Sequence, residues 1–285
     1  MYSSKKYRFS KATFAILMVF IIWSLMSLLL KPMDVTSFWG VGLGAAAALL
    51  FVLALDLKEM GVKKGAIVFV SLAAVVCGAV WLNRFRGWPF GFLTYHDILG
   101  WKILGGVAWP IPTFWIFMTN AAFLLTRPKE MRYDVKLLFS WAFDTGLTVM
   151  LSALMVEPIL AATTAQAWAM PGPVMGVPFS CFIGWFLSAF VAAFVAILAS
   201  KPWLSENSPR PWLLMLAASA LSLLGLAAAT HQSLVPVQAL CLVSTVYFAW
   251  ICRKASKKHK TTDGERPLEA PPTADQPSAT ETPSP

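Results

Sequence analysis

Apolar positions in this chain fall into long runs, approximately 12–30, 37–55, 64–83, 101–125, 135–157, 177–200, 211–230 and 234–252. A bilayer core of ~30 Å is crossed by about 20 apolar residues in a helix, and only helices and closed barrels satisfy every backbone polar group inside lipid. The pattern therefore predicts an all-α polytopic transmembrane bundle of about eight spans. The first run follows Lys5, Lys6, Arg8 and Lys11 as a secretory signal would. It is too long for one, however, and has no small-residue cleavage site before Lys31, so it reads as an uncleaved helix.

Composition supports this class: 58% of the 285 residues are hydrophobic, 13% are charged, and mean hydropathy is +0.65. A soluble protein of this length cannot hide so much apolar surface. The excess of 23 Lys and Arg over 14 Asp and Glu does not indicate a nucleic-acid partner, because the basic residues cluster between the apolar runs. All of them except Lys31, Arg84, Arg86 and Lys102 lie in the N-terminus, the 56–64 turn, the 127–136 loop, the 201–212 loop or the C-terminal tail. With eight alternating spans those segments share one side, so the positive-inside rule puts both ends in the cytoplasm. Residues 1–252 then form the membrane domain. Residues 253–285 form a tail, first basic and then rich in Pro, Thr, Glu and Ser, that buries too little to order itself.

Cys77, Cys181, Cys241 and Cys252 lie in or beside apolar runs without a CxxC pair or a histidine at ligand spacing, which indicates neither disulfides nor a metal site. Cys252, beside Arg253 and Lys254, reads as a plain membrane-facing thiol. No internal repeat, phosphate loop or dinucleotide fingerprint occurs, so nucleotide use is not indicated.

Two loops stand out. Residues 87–100 contain Trp88-Pro-Phe-Gly91, Tyr95, His96 and Asp97 and lead into a helix with Pro110, Pro112 and Trp115; residues 158–178 contain Trp168, Pro171, Gly172, Pro173 and Gly176 but no charge. Irregular backbone at membrane depth must be covered by protein or line a water-filled cavity, so both are expected to fold back onto the helix ends. Ionisable groups within spans cost roughly 2.5–3.5 kcal/mol at a helix centre and mark functional positions. Asp144, with Thr148 and Ser152 at i+4 and i+8, forms a polar stripe on the fifth helix; its alternative is a buried structural acid bonded to a neighbour such as Asn120. Glu157, at the outer end of that helix, is expected to face the two loops together with Asp97. About 20 Å of helical rise separates Glu157 from Asp144, so these two do not pair.

In order and spacing, residues 87–190 resemble the integral-membrane carotenoid biosynthesis proteins, whose characterised members are CruF-type carotenoid 1,2-hydratases, including bacterioruberin-pathway hydratases. The resemblance rests on Trp88-Pro-Phe-Gly91, Tyr95, Asp97, Gly100, Pro110, Trp115, Glu157-Pro158, Trp168, Gly176-Val-Pro178 and Gly184-Trp185. Two positions depart from the family pattern: Ala153 stands where an acid is usual, and Cys181 where an asparagine is usual.

The resemblance implies a cofactor-independent hydro-lyase that adds water to the terminal isoprenoid double bond of a linear carotenoid, giving a tertiary alcohol. Protonating an alkene needs a carboxylic acid that keeps its proton, for which Glu157 and Asp97, with Asp144 deeper, are the candidates. The tertiary cation can be shielded by aromatic faces, at about 2 kcal/mol or more when desolvated, for which Trp88, Tyr95, Trp115, Trp168 and Trp185 are the candidates. The expected partners are a membrane-dissolved carotenoid, the lipid bilayer and other carotenoid-pathway enzymes; the expected location is a bacterial or archaeal cell (inner) membrane. A non-catalytic pathway scaffold and a transporter of small lipophiles are the competing readings.

Overall fold

A computed structural model describes residues 2–30, 35–103, 105–128, 134–163, 165–200 and 212–264. Eight helices occur among them, one on each apolar run: α1 (Tyr2–Leu30), α2 (Val35–Glu59), α3 (Val62–Arg86), α4 (Pro110–Leu125), α5 (Val135–Ala162), α6 (Phe179–Ser200), α7 (Trp212–His231) and α8 (Val235–Gly264). Four short strands accompany them: β1 (Leu93–Tyr95), β2 (Lys102–Ile103), β3 (Val107–Ala108) and β4 (Gln166–Trp168). By length and composition, α3, α5, α6 and the Leu213–Thr230 part of α7 can cross a membrane. The apolar cores of α1, α4 and α8, at Ser10–Met26, Pro110–Leu125 and Val235–Trp250, are shorter.

Several boundaries differ from the sequence expectation, and three of them shape the loops and the tail. The 101–125 run is helical only from Pro110, because β2 and β3 pair antiparallel before it, with Gly105 and Gly106 at positive φ. The prolines at 110 and 112 suit a helix start, where missing N–H groups cost nothing. Helix α5 continues through Pro158 to Ala162 and closes on a Thr163 N–H to Ile159 carbonyl bond of 2.9 Å. Helix α8 runs past Cys252 to Gly264, since Arg253–Lys260 contains good helix formers and no breaker. The tail beyond Gly264, the 201–211 loop and the Cys252 side chain lie outside the described residues.

Helix α6 packs between α3 and α5, α2 packs on α1 and α4, and α7 pairs with α8. The buried faces are rich in small residues, such as Ala189, Ala192, Ala193 and Ala196 of α6, which let helices approach closely where lipid provides no hydrophobic drive for association. Large apolar side chains face outward, among them Val19, Trp23, Leu198, Val243 and Trp250. That surface suits lipid rather than water.

Candidate functional site

The site forms where the two unusual loops meet. Helix α3 ends at Gly87, whose left-handed conformation (φ 65°) lets its N–H reach the Asn83 carbonyl at 2.8 Å. Asn83 then holds the next turn from both sides: its Oδ1 accepts from Phe90 N and its Nδ2 donates to the Gly91 carbonyl, each at 3.0 Å. Ser180 Oγ, near the start of α6, donates to the Phe90 carbonyl at 3.1 Å. A Cβ on Gly184 would sit 2.6 Å from the Phe90 ring and 2.9 Å from the Pro89 backbone, so only glycine lets this turn lie against α6. From there β1 pairs antiparallel with β4, placing Leu93 opposite Trp168 and Tyr95 opposite Gln166. The loops expected to fold back are thus joined into one layer over the helix ends.

Beneath that layer lies Glu157, 3% exposed. Its Oε1 accepts from Trp185 Nε1 at 2.8 Å and its Oε2 accepts from Gln166 Nε2, and the Cys181 side chain lies beside it. Trp185 is stacked on Trp115 with centroids 3.9 Å apart, and Phe90 covers it at 4.2 Å. Trp168 and Tyr95 pack in the same apolar cluster, as does Ala153, one turn before Glu157. The indole N–H groups of Trp115 and Trp168 are buried there without a hydrogen-bond partner. Burial, reinforced by the Glu157 charge, pushes the Tyr95 phenol above its ordinary range, so it stays protonated. The Gln166 amide suits either state of the acid, because its NH₂ serves a carboxylate and, turned over, its carbonyl accepts from a carboxylic acid.

Of the sequence-derived candidates, Glu157, Tyr95, Trp115, Trp168 and Trp185 come together. The others do not join them. Trp88 is 60% exposed. The Asp97 side chain is 92% exposed and pairs with Lys102 Nζ at 2.5 Å, a contact that draws its carboxyl below the usual range. Asp144 is exposed beside Phe143 and Leu147, not buried against a neighbour, and the Thr148 and Ser152 hydroxyls bond carbonyls of their own helix. Asn120 serves a different acid: its Nδ2 donates to Oδ2 of the fully buried Asp56 at 2.7 Å. Sequence reasoning missed Asn83, Gln166 and Asp56. Asp56 was assigned to a turn because the apolar run stops at 55 and Lys58 follows, whereas α2 continues to Glu59. A glutamine in an otherwise apolar, uncharged loop was the one available signal for Gln166.

With this geometry in view, the comparison with known proteins is direct. The sequence profile described as carotenoid biosynthesis protein matches residues 37–248. The chain belongs to this carotenoid biosynthesis protein family. The match contains every residue around Glu157 named above, together with α3 to α7. A bisanhydrobacterioruberin hydratase from Haloarcula japonica is 31% identical over 134 residues, which is 46% of this chain and 44% of that protein. The aligned stretch is thus less than half of either chain. No solved structure matches.

Proposed function

We propose that this family member hydrates the terminal isoprenoid double bond of a linear carotenoid, with Glu157 as the acid. The observation that carries the reading is a buried carboxyl held by the Trp185 indole and the Gln166 amide, with the Trp115 ring stacked on Trp185 beside it. The carotenoid family and the hydratase name of the Haloarcula japonica relative support it. In this mechanism Glu157 delivers its proton to the less substituted alkene carbon; the π bond breaks and leaves a tertiary cation. Trp185, Trp115 and Trp168 are the aromatic groups available to face that charge. A water oxygen then bonds to the cationic carbon, and the proton that the oxonium loses returns to the Glu157 carboxylate. One acid thus completes the cycle, which suits a site with Ala153 where the family resemblance implies a second acid. Tyr95 and the free indole N–H groups of Trp115 and Trp168 are the available groups to orient the water.

The proposal places the protein in a bacterial or archaeal cell membrane, spanning it eight times with both ends in the cytoplasm. The loop layer then faces the outer aqueous phase, which provides the water, while the carotenoid enters from lipid. Reporter fusions after Lys260 and within 127–136 should report cytoplasm, and fusions within 163–175 the outer side; a C-terminal fusion found outside would remove the eight-span arrangement. Activity is tested by producing the chain in a host that makes a linear carotene and weighing its pigments. A gain of the mass of water supports hydration. Ala153 and Cys181 favour a second reading, a scaffold whose acid chemistry has lapsed, for which the pigments stay unchanged.

A further inference from the structure

A cleft of about 230 Å³ lies between α4, α5 and α7, with walls completed by α1 and α8. It is larger than the ~150 Å³ apolar cavity that takes up benzene in an engineered protein. On α5 its lining runs from Thr148 to Thr163, which spans about 22 Å of helical rise. The polar groups along it offer little to a ligand: Ser152, Thr148 and Thr163 donate to carbonyls of α5, and Ser222 and Ser244 bond each other at 3.0 Å. Trp23, 67% exposed, stands at the open edge, so the cleft communicates with the lipid-facing surface. Such a space fits a straight hydrocarbon chain without hydroxyl or charged groups.

The cleft also adjoins the acid site. Glu157 projects from α5 on another face, roughly 140° around the helix from the cleft lining. Phe114, Met118, Val156 and Leu160 line the cleft and also pack against the cluster around Trp115 and Trp185. These four side chains are shared between the cleft wall and that cluster. We infer that the α4–α5–α7 cleft is the berth for the polyene body of a linear carotenoid, whose end reaches Glu157 past these shared side chains. The inference rests on the proposed hydratase reading for the last step only, since binding in the cleft can be measured without turnover.

The test uses lycopene, an acyclic polyene hydrocarbon, with the full chain purified in detergent from a host that makes it. Pigment per protein is read from the visible absorption spectrum. Ala218→Phe and Leu221→Trp, both in the cleft wall and away from Glu157, should lower retained lycopene at least tenfold while Glu157→Gln retains it. The variants are compared at equal folded protein, checked by their unfolding temperature in detergent. Undiminished lycopene in the folded filled variants, or a wild-type cleft that retains phospholipid in place of lycopene, would each overturn the assignment. Lycopene bound in the cleft but never hydrated would instead remove the hydratase reading and leave the berth standing.

Discussion

Among the described residues two acids, Glu157 and Asp56, are buried in the apolar helices, and their surroundings differ in kind. Glu157 receives hydrogen bonds from α6 and from the β4 strand, under a layer made by two loops, with indole rings on its flank. Asp56 receives one bond, from Asn120, and its Oδ1, the Asn120 Oδ1 and the nearby Thr119 hydroxyl in α4 are unpaired. The first arrangement converges on one carboxyl from several elements; the second ties α2 to α4 through one acid–amide contact. Burial of a carboxyl therefore does not by itself mark a catalytic acid. Aromatic surfaces for a cation, unused donors for water and an adjoining hydrocarbon cleft occur together at Glu157.

The largest expected effect follows from that difference. Glu157→Gln preserves shape and a polar partner but removes the transferable proton, so hydrated product should fall by about 10²- to 10⁴-fold at unchanged protein level. A loss of only two- or threefold would assign Glu157 to structure and erase the contrast with Asp56. Conversely, Asp56→Ala should strand Asn120 in the bundle and destabilise the fold by roughly 1–3 kcal/mol, read as a lower unfolding temperature in detergent, with activity per folded molecule retained. Smaller again is Trp185→Phe, which keeps the ring stack and deletes one donor to Glu157. About 1–1.5 kcal/mol, or roughly a tenfold loss in turnover, is expected, with the binding of lycopene unchanged. The smallest effect belongs to Asp97→Asn: an exposed carboxylate paired with Lys102 contributes little, so product and unfolding temperature should match the parent.

The helices were legible because a bilayer imposes a length, and each of the eight apolar runs carries one of the eight helices among the described residues, although several of their ends shift. The position of Glu157 beneath the two loops was legible because an acid at the end of an apolar run, next to an uncharged aromatic loop, stands out in the sequence. What stayed hidden depended on contacts between residues distant in sequence. Tyr95 meets Gln166 only because β1 pairs with β4, and nothing local in either loop announces that pairing. The sequence places Asp97 in the same aromatic loop as Tyr95 and so at the face of Glu157, but a 3₁₀ turn at Asp97–Leu99 follows β1 and the side chain pairs with Lys102 in solvent. The sequence leaves Asp144 between a functional acid and a buried acid bonded to Asn120; the side chain is exposed and Asn120 serves Asp56 instead, since 3.6-residue periodicity identifies a face without saying what covers it.

Isotope labelling tests the central claim, that a proton from Glu157 starts the addition of water, most directly. Membranes containing the wild-type chain and Glu157→Gln are supplied with lycopene in D₂O enriched in ¹⁸O, and the product is weighed and its label located. Acid-initiated hydration predicts one carbon-bound deuterium beside the carbinol carbon and one ¹⁸O in the hydroxyl, with the wild type but not with Glu157→Gln. Product lacking either label, or the same labelled product at the same rate from Glu157→Gln, would contradict it.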